Sequence, residues 1–342
     1  MNTIKKLLVA TVSSIFVFAS ATAGELSLSG AIELSSNSRA NTNEGNKLGW
    51  ENEYTISGST ELDNGIGVAY KMTTSDSFTE SDTDITFTTD YGTIGVGNMY
   101  DGVDAVDNIV PTAHEEAEHN LGTWGDAGTL GASAGIKYVP NVDLYGMGAT
   151  LFYTPKWGTA KTATDSAGSG DTGAEDNGSG YSIILAGNPG NFVDGLGVTV
   201  GYEKADQRGN AGKTGPQTDA ESVTAAISYA YGPVTVGVQK GYRDEGYEGA
   251  VSVSATQGVH YRNTNYGIAY AINDALTVSY QRSDSNQKLA DGRNVVQEAD
   301  GYSAAYTMGG MTLSYYNNSV DNANYTVANT QDNSGVILSV AF

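Results

Sequence analysis

The sequence predicts an all-β fold, a sixteen-stranded antiparallel β-barrel that crosses a membrane with its strands. Three observations predict it. Apolar and polar residues alternate with a period of two along the chain, which is the signal of strands with one apolar and one polar face. The connections are alternately short and long, as in outer-membrane barrels. After residue 23, no apolar run approaches the roughly 20 residues of a membrane-spanning helix.

The strands are predicted from this alternation, which recurs from one end of the chain to the other. Apolar residues alternate with small or polar ones at Leu26, Leu28, Ile32 and Leu34, at Val198, Val200 and Tyr202, at Leu276, Val278 and Tyr280, and at Val336, Leu338, Val340 and Phe342. Tyrosines concentrate near the predicted strand ends. They fit either ordinary packing on a sheet or an aromatic girdle at a membrane interface.

The connections decide between a barrel and a sandwich. Short ones lie at 62–65, 91–92, 140–142, 189–195, 231–233, 273–274 and 308–310, and long ones at 37–46, 74–81, 99–131, 154–178, 206–220, 245–260, 283–296 and 319–333. Seven tight turns and eight long loops imply sixteen strands with both chain ends at one rim. An even strand number with short turns on one side is typical of outer-membrane barrels, and sixteen strands leave a water-filled lumen.

The first 23 residues predict a secretory signal peptide. Lys5 and Lys6 precede an apolar run from Leu7 to Phe18, and Ala21-Thr22-Ala23 follows it. We expect cleavage after Ala23, so the barrel domain covers 24–342; the alternative is an uncleaved anchor.

The composition is strongly acidic and lacks cysteine. The chain has 17 Lys and Arg against 39 Asp and Glu, a formal charge of −22. Such a chain does not bind nucleic acid by neutralising phosphates, and it attracts cations. The absence of cysteine excludes a disulfide-stapled scaffold.

An acidic stretch with two histidines, AHEEAEH at 113–119, resembles a zinc-protease helix at first sight. Zinc helices space their histidines four apart, whereas His114 and His119 are five apart, which on a helix adds about 100° of rotation. We therefore expect no catalytic metal and a short helical turn after Pro111-Thr112. Calcium bound by loop carboxylates stays open as a possible cofactor, beside acids that are simply solvated.

Nothing else in the sequence indicates an enzyme. No local serine–histidine or aspartate–histidine signature of an outer-membrane hydrolase is present, and the glycine-rich pieces do not lie between a strand and a helix.

Three stretches give the chain a resemblance to the trimeric general porins of Gram-negative bacteria, of the alphaproteobacterial type. They are DYGTIGVG at 90–97, GIKYVPN at 135–141 and VILSVAF at 336–342. The resemblance implies a homotrimer in the outer membrane and a third outer loop, at about 99–131, that folds into the lumen. It also implies that the terminal Phe342 is a signal read by the barrel-assembly machinery.

The same resemblance assigns the two sides of a constriction. Its acidic side is expected at Asp101, Asp104, Asp107, Glu115 and Glu116, and its basic side at Arg39, Lys71 and Lys137. Lys71 and Lys137 have inward parity on their strands, and each base could equally be solvated at the pore mouth. Related porins often place a base after the glycine equivalent to Gly97, where this chain has Asn98.

These expectations together predict a channel for passive diffusion of small hydrophilic solutes and ions, selective for cations. Two alternatives stay open: a channel biased toward one class of solute, and a non-conducting structural or adhesive barrel.

Overall fold

A computed structural model describes residues 26–40, 46–75, 80–100, 102–126, 128, 130, 133–157, 177–207, 218–247 and 254–342. The predicted signal peptide at 1–23 and Asp101 of the predicted acidic side lie outside these residues. The described chain forms one closed antiparallel barrel of sixteen strands, in which each strand pairs with its neighbours along the chain. The predicted fold class is confirmed.

The strands follow one another around the barrel in chain order. They are β1 (Leu26–Ala40), β2 (Leu48–Glu61), β3 (Gly67–Thr74), β4 (Glu80–Thr89), β5 (Gly92–Tyr100), β6 (Ser133–Pro140), β7 (Met147–Thr154), β8 (Asn177–Gly187), β9 (Leu196–Gln207), β10 (Ala220–Tyr231), β11 (Val234–Asp244), β12 (Gly258–Ala271), β13 (Leu276–Leu289), β14 (Asn294–Met308), β15 (Met311–Asp321) and β16 (Gln331–Ala341). The barrel closes where β1 pairs with β16, from Ala31 opposite Ala341 to Ala40 opposite Asp332.

The alternation in the sequence becomes two different faces of the barrel wall. The apolar positions are exposed in the isolated chain, as at Leu26, Leu28, Trp50, Ile268 and Tyr302. Large apolar residues in such number on a surface require a non-aqueous neighbour, which lipid supplies in a membrane barrel. The residues between these apolar positions have their side chains on the opposite side of the strands. We call that side the polar face of the wall.

One predicted connection is wrong. The long loop expected at 283–296 is a turn of residues 290–293, because β13 continues to Leu289 and β14 begins at Asn294. The buried residues Ser283, Ser285 and Gln287 alternate there with the half-exposed Asp284 and Asn286. Neither face of this part of the strand is apolar, so the sequence lacks the contrast from which a strand is recognised.

Helical structure is confined to three short 3₁₀ turns in the described parts of the chain: Gly102–Val106, Pro189–Asn191 and Ala323–Tyr325. None of the helical segments among these residues is long and apolar enough to span a membrane.

Two buried apolar clusters lie on the polar face, where a loop meets the wall. The first consists of Leu130, Phe152, Ala205 and Ala220, with Trp157 packed against it. The second consists of Ala117, Leu121, Ala299, Val320 and Ala323, with Trp124 packed against it. Leu121 and Leu130 come from the connection between β5 and β6, so this loop is attached to the wall by packing as well as by hydrogen bonds.

Candidate pore constriction

The connection between β5 and β6 is the third of the long loops, and its described part is 102–126, 128 and 130. We call this part the third loop. Its 3₁₀ turn at Gly102–Val106 lies against β8, β9 and β10. Gly102 has φ of +59°, and a Cβ there would collide with the side chain of Glu203. Glycine therefore permits both the turn and the close approach to the wall.

Glu203 of β9 joins both ends of the third loop to the wall. Its two carboxylate oxygens accept hydrogen bonds from the backbone N–H groups of Val103 (2.8 Å) and Leu130 (2.7 Å). The residue is 0% exposed. Because a buried backbone N–H without a partner is costly, a side chain that accepts from two of them is a strong local anchor.

Gln239 of β11 anchors the next part of the loop. Its side-chain amide accepts from Ile109 N (2.9 Å) and donates to Val106 O (2.7 Å) and to Thr224 Oγ1 (2.8 Å). A primary amide offers both a donor and an acceptor. The side chain of Gln239 therefore makes with the backbone of Val106 and Ile109 the kind of hydrogen bonds that a neighbouring strand would make.

Farther along, the loop crosses glycines and small hydroxyl residues of the wall. A Cβ at Gly237 or at Gly267 would lie 2.5 Å from an atom of Pro111, so both positions must lack a side chain. Beyond them, Ala113 N donates to Ser279 Oγ (2.9 Å) and His114 N to Ser303 Oγ (3.1 Å). The sequence AHEEAEH is therefore fixed to β13 and β14 by its backbone.

The two histidines of this stretch both contact Tyr316 of β15. The ring of His114 stacks on Tyr316 with centroids 5.5 Å apart, and the ring of His119 meets it edge-on at 5.9 Å. The two imidazoles are only 6.1 Å apart. The expectation that a five-residue spacing separates them is wrong, because turns closed by His119 N to Glu116 O and Leu121 N to Glu118 O replace a regular helix.

Four carboxyl groups of the third loop form an acidic cluster: Asp104, Asp107, Glu118 and Asp126. Burial, followed by the charge of Asp126, raises the pKa of Asp107 to about 10. Burial also raises the pKa of Asp126, Glu118 and Asp104, and Arg243 of β11 opposes the shift at Asp104. Part of this cluster therefore carries protons at neutral pH, and its charge is smaller than its formal count.

Glu115 and Glu116, the two remaining acids of the predicted acidic side, also have raised pKa values. Burial raises the pKa of Glu115 and of Glu116. Burial lowers the pKa of His114 to about 4, so this histidine is neutral at pH 7.

One set of side chains in the loop could hold a metal ion. Glu115, Glu116 and His119 each bring one ligand atom within 4.8 Å of the others. Two oxygens and one imidazole nitrogen suit a borderline metal better than calcium, which takes six to eight oxygens.

The three predicted bases lie in two different places. The guanidinium of Arg39 on β1 donates a hydrogen bond to Asn120 O, so it contacts the loop itself. Lys71 of β3 is opposite Asp84 of β4 in the register, and Lys137 Nζ of β6 is 3.9 Å from Asp84 Oδ2. Lys71 and Lys137 thus share one stretch of the polar face, and that stretch includes a carboxylate.

Glu203, Gln239 and Tyr316 escaped sequence analysis as functional residues. Each has the parity of the polar face, which is all that the alternation could indicate. Their buried hydrogen bonds and ring contacts depend on loop residues that are about 70 to 200 positions away along the chain, and no local motif encodes such a pairing.

Comparison with known proteins agrees with this architecture. A sequence model of the family described as Gram-negative porin matches residues 9–339. No curated protein sequence matches the chain. The anion-selective porin from Comamonas acidovorans is similar in structure, with TM-score 0.64 and 12% identity over 94% of this chain and 100% of that one.

Two further structures resemble it to a similar degree. The trimer form of in-vitro folded OmpT, an outer membrane protein of Vibrio cholerae, gives a TM-score of 0.65 and 13% identity over 94% of this chain and 100% of that one. OmpF of Salmonella typhi, in complex with daunomycin, gives 0.62 and 14% over 93% and 98%. At sequence identities this low, the structural similarity establishes that these proteins share a fold.

Proposed function

This chain belongs to the Gram-negative porin family and forms a channel in the outer membrane, and we propose that it passes small hydrophilic solutes by passive diffusion and favours cations. Family membership points to a channel rather than an enzyme. Passive diffusion requires an open aqueous path, and a sixteen-stranded barrel is wide enough to contain one.

The observation that carries the proposal is the attachment of the third loop to the polar face. Because the exposed apolar face must meet lipid, we infer that the polar face lines the lumen and that the third loop lies inside it. The loop residues that bond to the wall meet β8 to β15 and β1. Lys71 and Lys137 lie on β3 and β6, which are not among these strands. We infer that the aqueous path runs between these two lysines and the third loop.

The charges on the two sides are unequal, and this supports cation selectivity. The loop side carries the acidic cluster with Glu115 and Glu116, whereas each lysine of the facing wall has Asp84 nearby. A constriction lined in this way has a negative potential that concentrates cations. The fold alone does not set this sign, since one structural neighbour is an anion-selective porin.

The deciding experiment is a recording from planar bilayers with a salt gradient. We expect large ohmic steps and a reversal potential on the cation side that shrinks at high salt, because the Debye length falls from about 10 Å at 0.1 M to about 3 Å at 1 M. Block by one solute class would instead support a substrate-biased channel, and the absence of steps would support a structural barrel.

We also propose a homotrimer, in line with the trimer form of a structural neighbour. Barrel-to-barrel packing would use the exposed face of β1 and β16, for example Leu28 and Val336. We expect a trimer that resists SDS and dissociates on boiling. A folded species that runs as a monomer in mild detergent as well as in SDS would contradict this assembly.

Calcium binding to the acidic cluster completes the proposal. Glu118 Oε2 and Asp126 Oδ1 are buried without a hydrogen-bond partner among the described residues, and carboxylate oxygens are the ligands calcium prefers. Since a cation displaces protons from such groups, adding calcium chloride should release protons and lower the cation selectivity. Equal responses from the wild type and from a Glu118→Gln variant would refute the site.

A further inference from the structure

Two carboxylates and one imidazole of the third loop meet within the stretch AHEEAEH. The ligand atoms of Glu115, Glu116 and His119 all lie within 4.8 Å of one another. Nδ1 of His119 is 3.6 Å from Oε2 of Glu115. Two ligands of a tetrahedral ion, each bound at about 2.0–2.1 Å, are about 3.4 Å apart. This pair therefore needs very little movement to share one metal ion.

The backbone of the loop holds the histidine in this place. His119 N donates to Glu116 O at 3.1 Å, and Leu121 N donates to Glu118 O at 2.8 Å. The ring of His119 also meets the ring of Tyr316 on the barrel wall, with centroids 5.9 Å apart. Because these contacts exist before an ion arrives, little ordering is needed when it binds.

A further nitrogen near these ligands lacks a partner. Nε2 of His114 is buried and has no hydrogen-bond partner in the described part of the chain. The rings of His114 and His119 have their centroids 6.1 Å apart. A buried polar atom without a partner is unfavourable. An ion held by the three other side chains has a fourth position, which this nitrogen or a water bonded to it can fill.

The group is open to water and negatively charged. The side chains of Glu115 and His119 are 46% and 25% exposed, so an ion reaches them from the solvent. Glu33 and Arg39 of β1 both act electrostatically on His119. Three carboxylates (Glu33, Glu115 and Glu116) against one guanidinium leave a formal charge of −2. A divalent cation neutralises this charge.

We propose that Glu115, Glu116 and His119 bind a divalent transition-metal ion of the zinc type. Carboxylate oxygen and imidazole nitrogen are both ligands of zinc. Imidazole suits zinc, copper and nickel, whereas calcium and magnesium take oxygen ligands. The site shares neither Glu118 nor Asp126 with the proposed calcium site.

The bound ion should act on the channel. It places two positive charges beside the inferred aqueous path, so it opposes the passage of other cations. This consequence rests on the proposed function, whereas the binding of the metal does not.

Isothermal titration calorimetry with zinc chloride measures the binding to the folded protein in detergent, with calcium chloride present throughout. The variants are His119→Gln and the double substitution Glu115→Gln with Glu116→Gln. The matched control is His260→Gln on β12, a histidine with a similar exposure of 29% that lies 3.4 Å from Asp244. Heat-modifiable mobility on gels shows that each variant is folded.

We expect the wild type to bind one zinc ion per chain. His119→Gln should bind it at least about 100-fold more weakly, because changes to the surroundings of a ligand already cost about 10–100-fold. The double carboxylate variant should lose as much, and His260→Gln should match the wild type. In planar bilayers, zinc should lower the conductance of the wild type and leave that of His119→Gln unchanged.

Three results would overturn the proposal. They are the absence of zinc binding by the wild type, equal losses from His119→Gln and His260→Gln, and zinc binding that leaves the conductance of the wild type unchanged. Failure of the proposed function has a different signature, since a barrel that gives no current steps can still bind zinc in the calorimeter.

Discussion

Replacing Glu203 by alanine should release the third loop from the wall while the barrel stays folded. The substitution removes both acceptors of the bonds from Val103 N and Leu130 N. A buried donor without a partner costs about 1–3 kcal/mol. Two such donors therefore destabilise the attached loop by roughly 2–6 kcal/mol. The strands lose little, because their ladder bonds use backbone groups only.

Hydrogen exchange of the folded protein in detergent measures this release directly. A change of about 3 kcal/mol speeds the exchange of the loop amides about 100-fold, and exchange in the β13–β14 ladder should stay slow. Single-channel records should show frequent fluctuations of the open level.

The control is Glu221→Ala on the neighbouring strand β10. Glu221 is half-exposed and pairs with Lys204 at 3.1 Å, an arrangement that contributes about 0–1 kcal/mol. If Glu203→Ala leaves the loop amides as protected as Glu221→Ala does, the buried carboxylate is not the anchor of the loop, and the reasoning from its two hydrogen bonds fails.

Three further predictions follow from the charges and the terminal strand. Neutralising Glu115 and Glu116 together by amide substitution should shift the reversal potential toward zero, because Glu115 is exposed and Glu116 is only partly buried. A matched control replaces two exposed acids of the short turns: Asp63 and Asp274. Equal shifts from both sets would show that overall charge sets the selectivity. Raising the pH from 8 to 11, through the pKa of about 10 of Asp107, should increase cation selectivity. It should also loosen the loop, since a raised folded-state pKa means that stability falls as pH rises toward that value. Asp107→Asn should flatten both trends. Phe342→Ser should lower the amount of barrel assembled in the outer membrane without altering the conductance of inserted channels, and normal assembly would remove the role given to this exposed residue.

The barrel could be predicted because its signal is repeated sixteen times. Each strand crosses the same apolar layer, so the alternation recurs at every crossing, and an error in one strand does not change the count. Prediction failed at 283–296 for the opposite reason. Ser283 and Asp284 lie on opposite faces of β13 above that layer, where both faces are polar.

The site was less accessible to sequence analysis. Acidity of the third loop is visible in its composition, but its partners are single residues on distant strands. Arg39 shows the difficulty: its sequence position gives it the parity of the polar face, yet only the folded chain brings its guanidinium to Asn120 O. The ring contacts of His114 and His119 with Tyr316 likewise depend on the turns that replace a helix.

Burial and selectivity oppose each other in the third loop. Attaching the loop to the wall removes water from Asp107, Glu118 and Asp126, and the raised pKa values follow from that desolvation together with mutual repulsion. A carboxyl group that holds a proton contributes little to the field along the pore. The less buried Glu115 and the facing lysines beside Asp84 therefore carry more of the effective field than the formal count of acids implies. In the proposed cation-selective channel, further acids in this loop would raise the selectivity only up to the point at which the cluster binds protons instead.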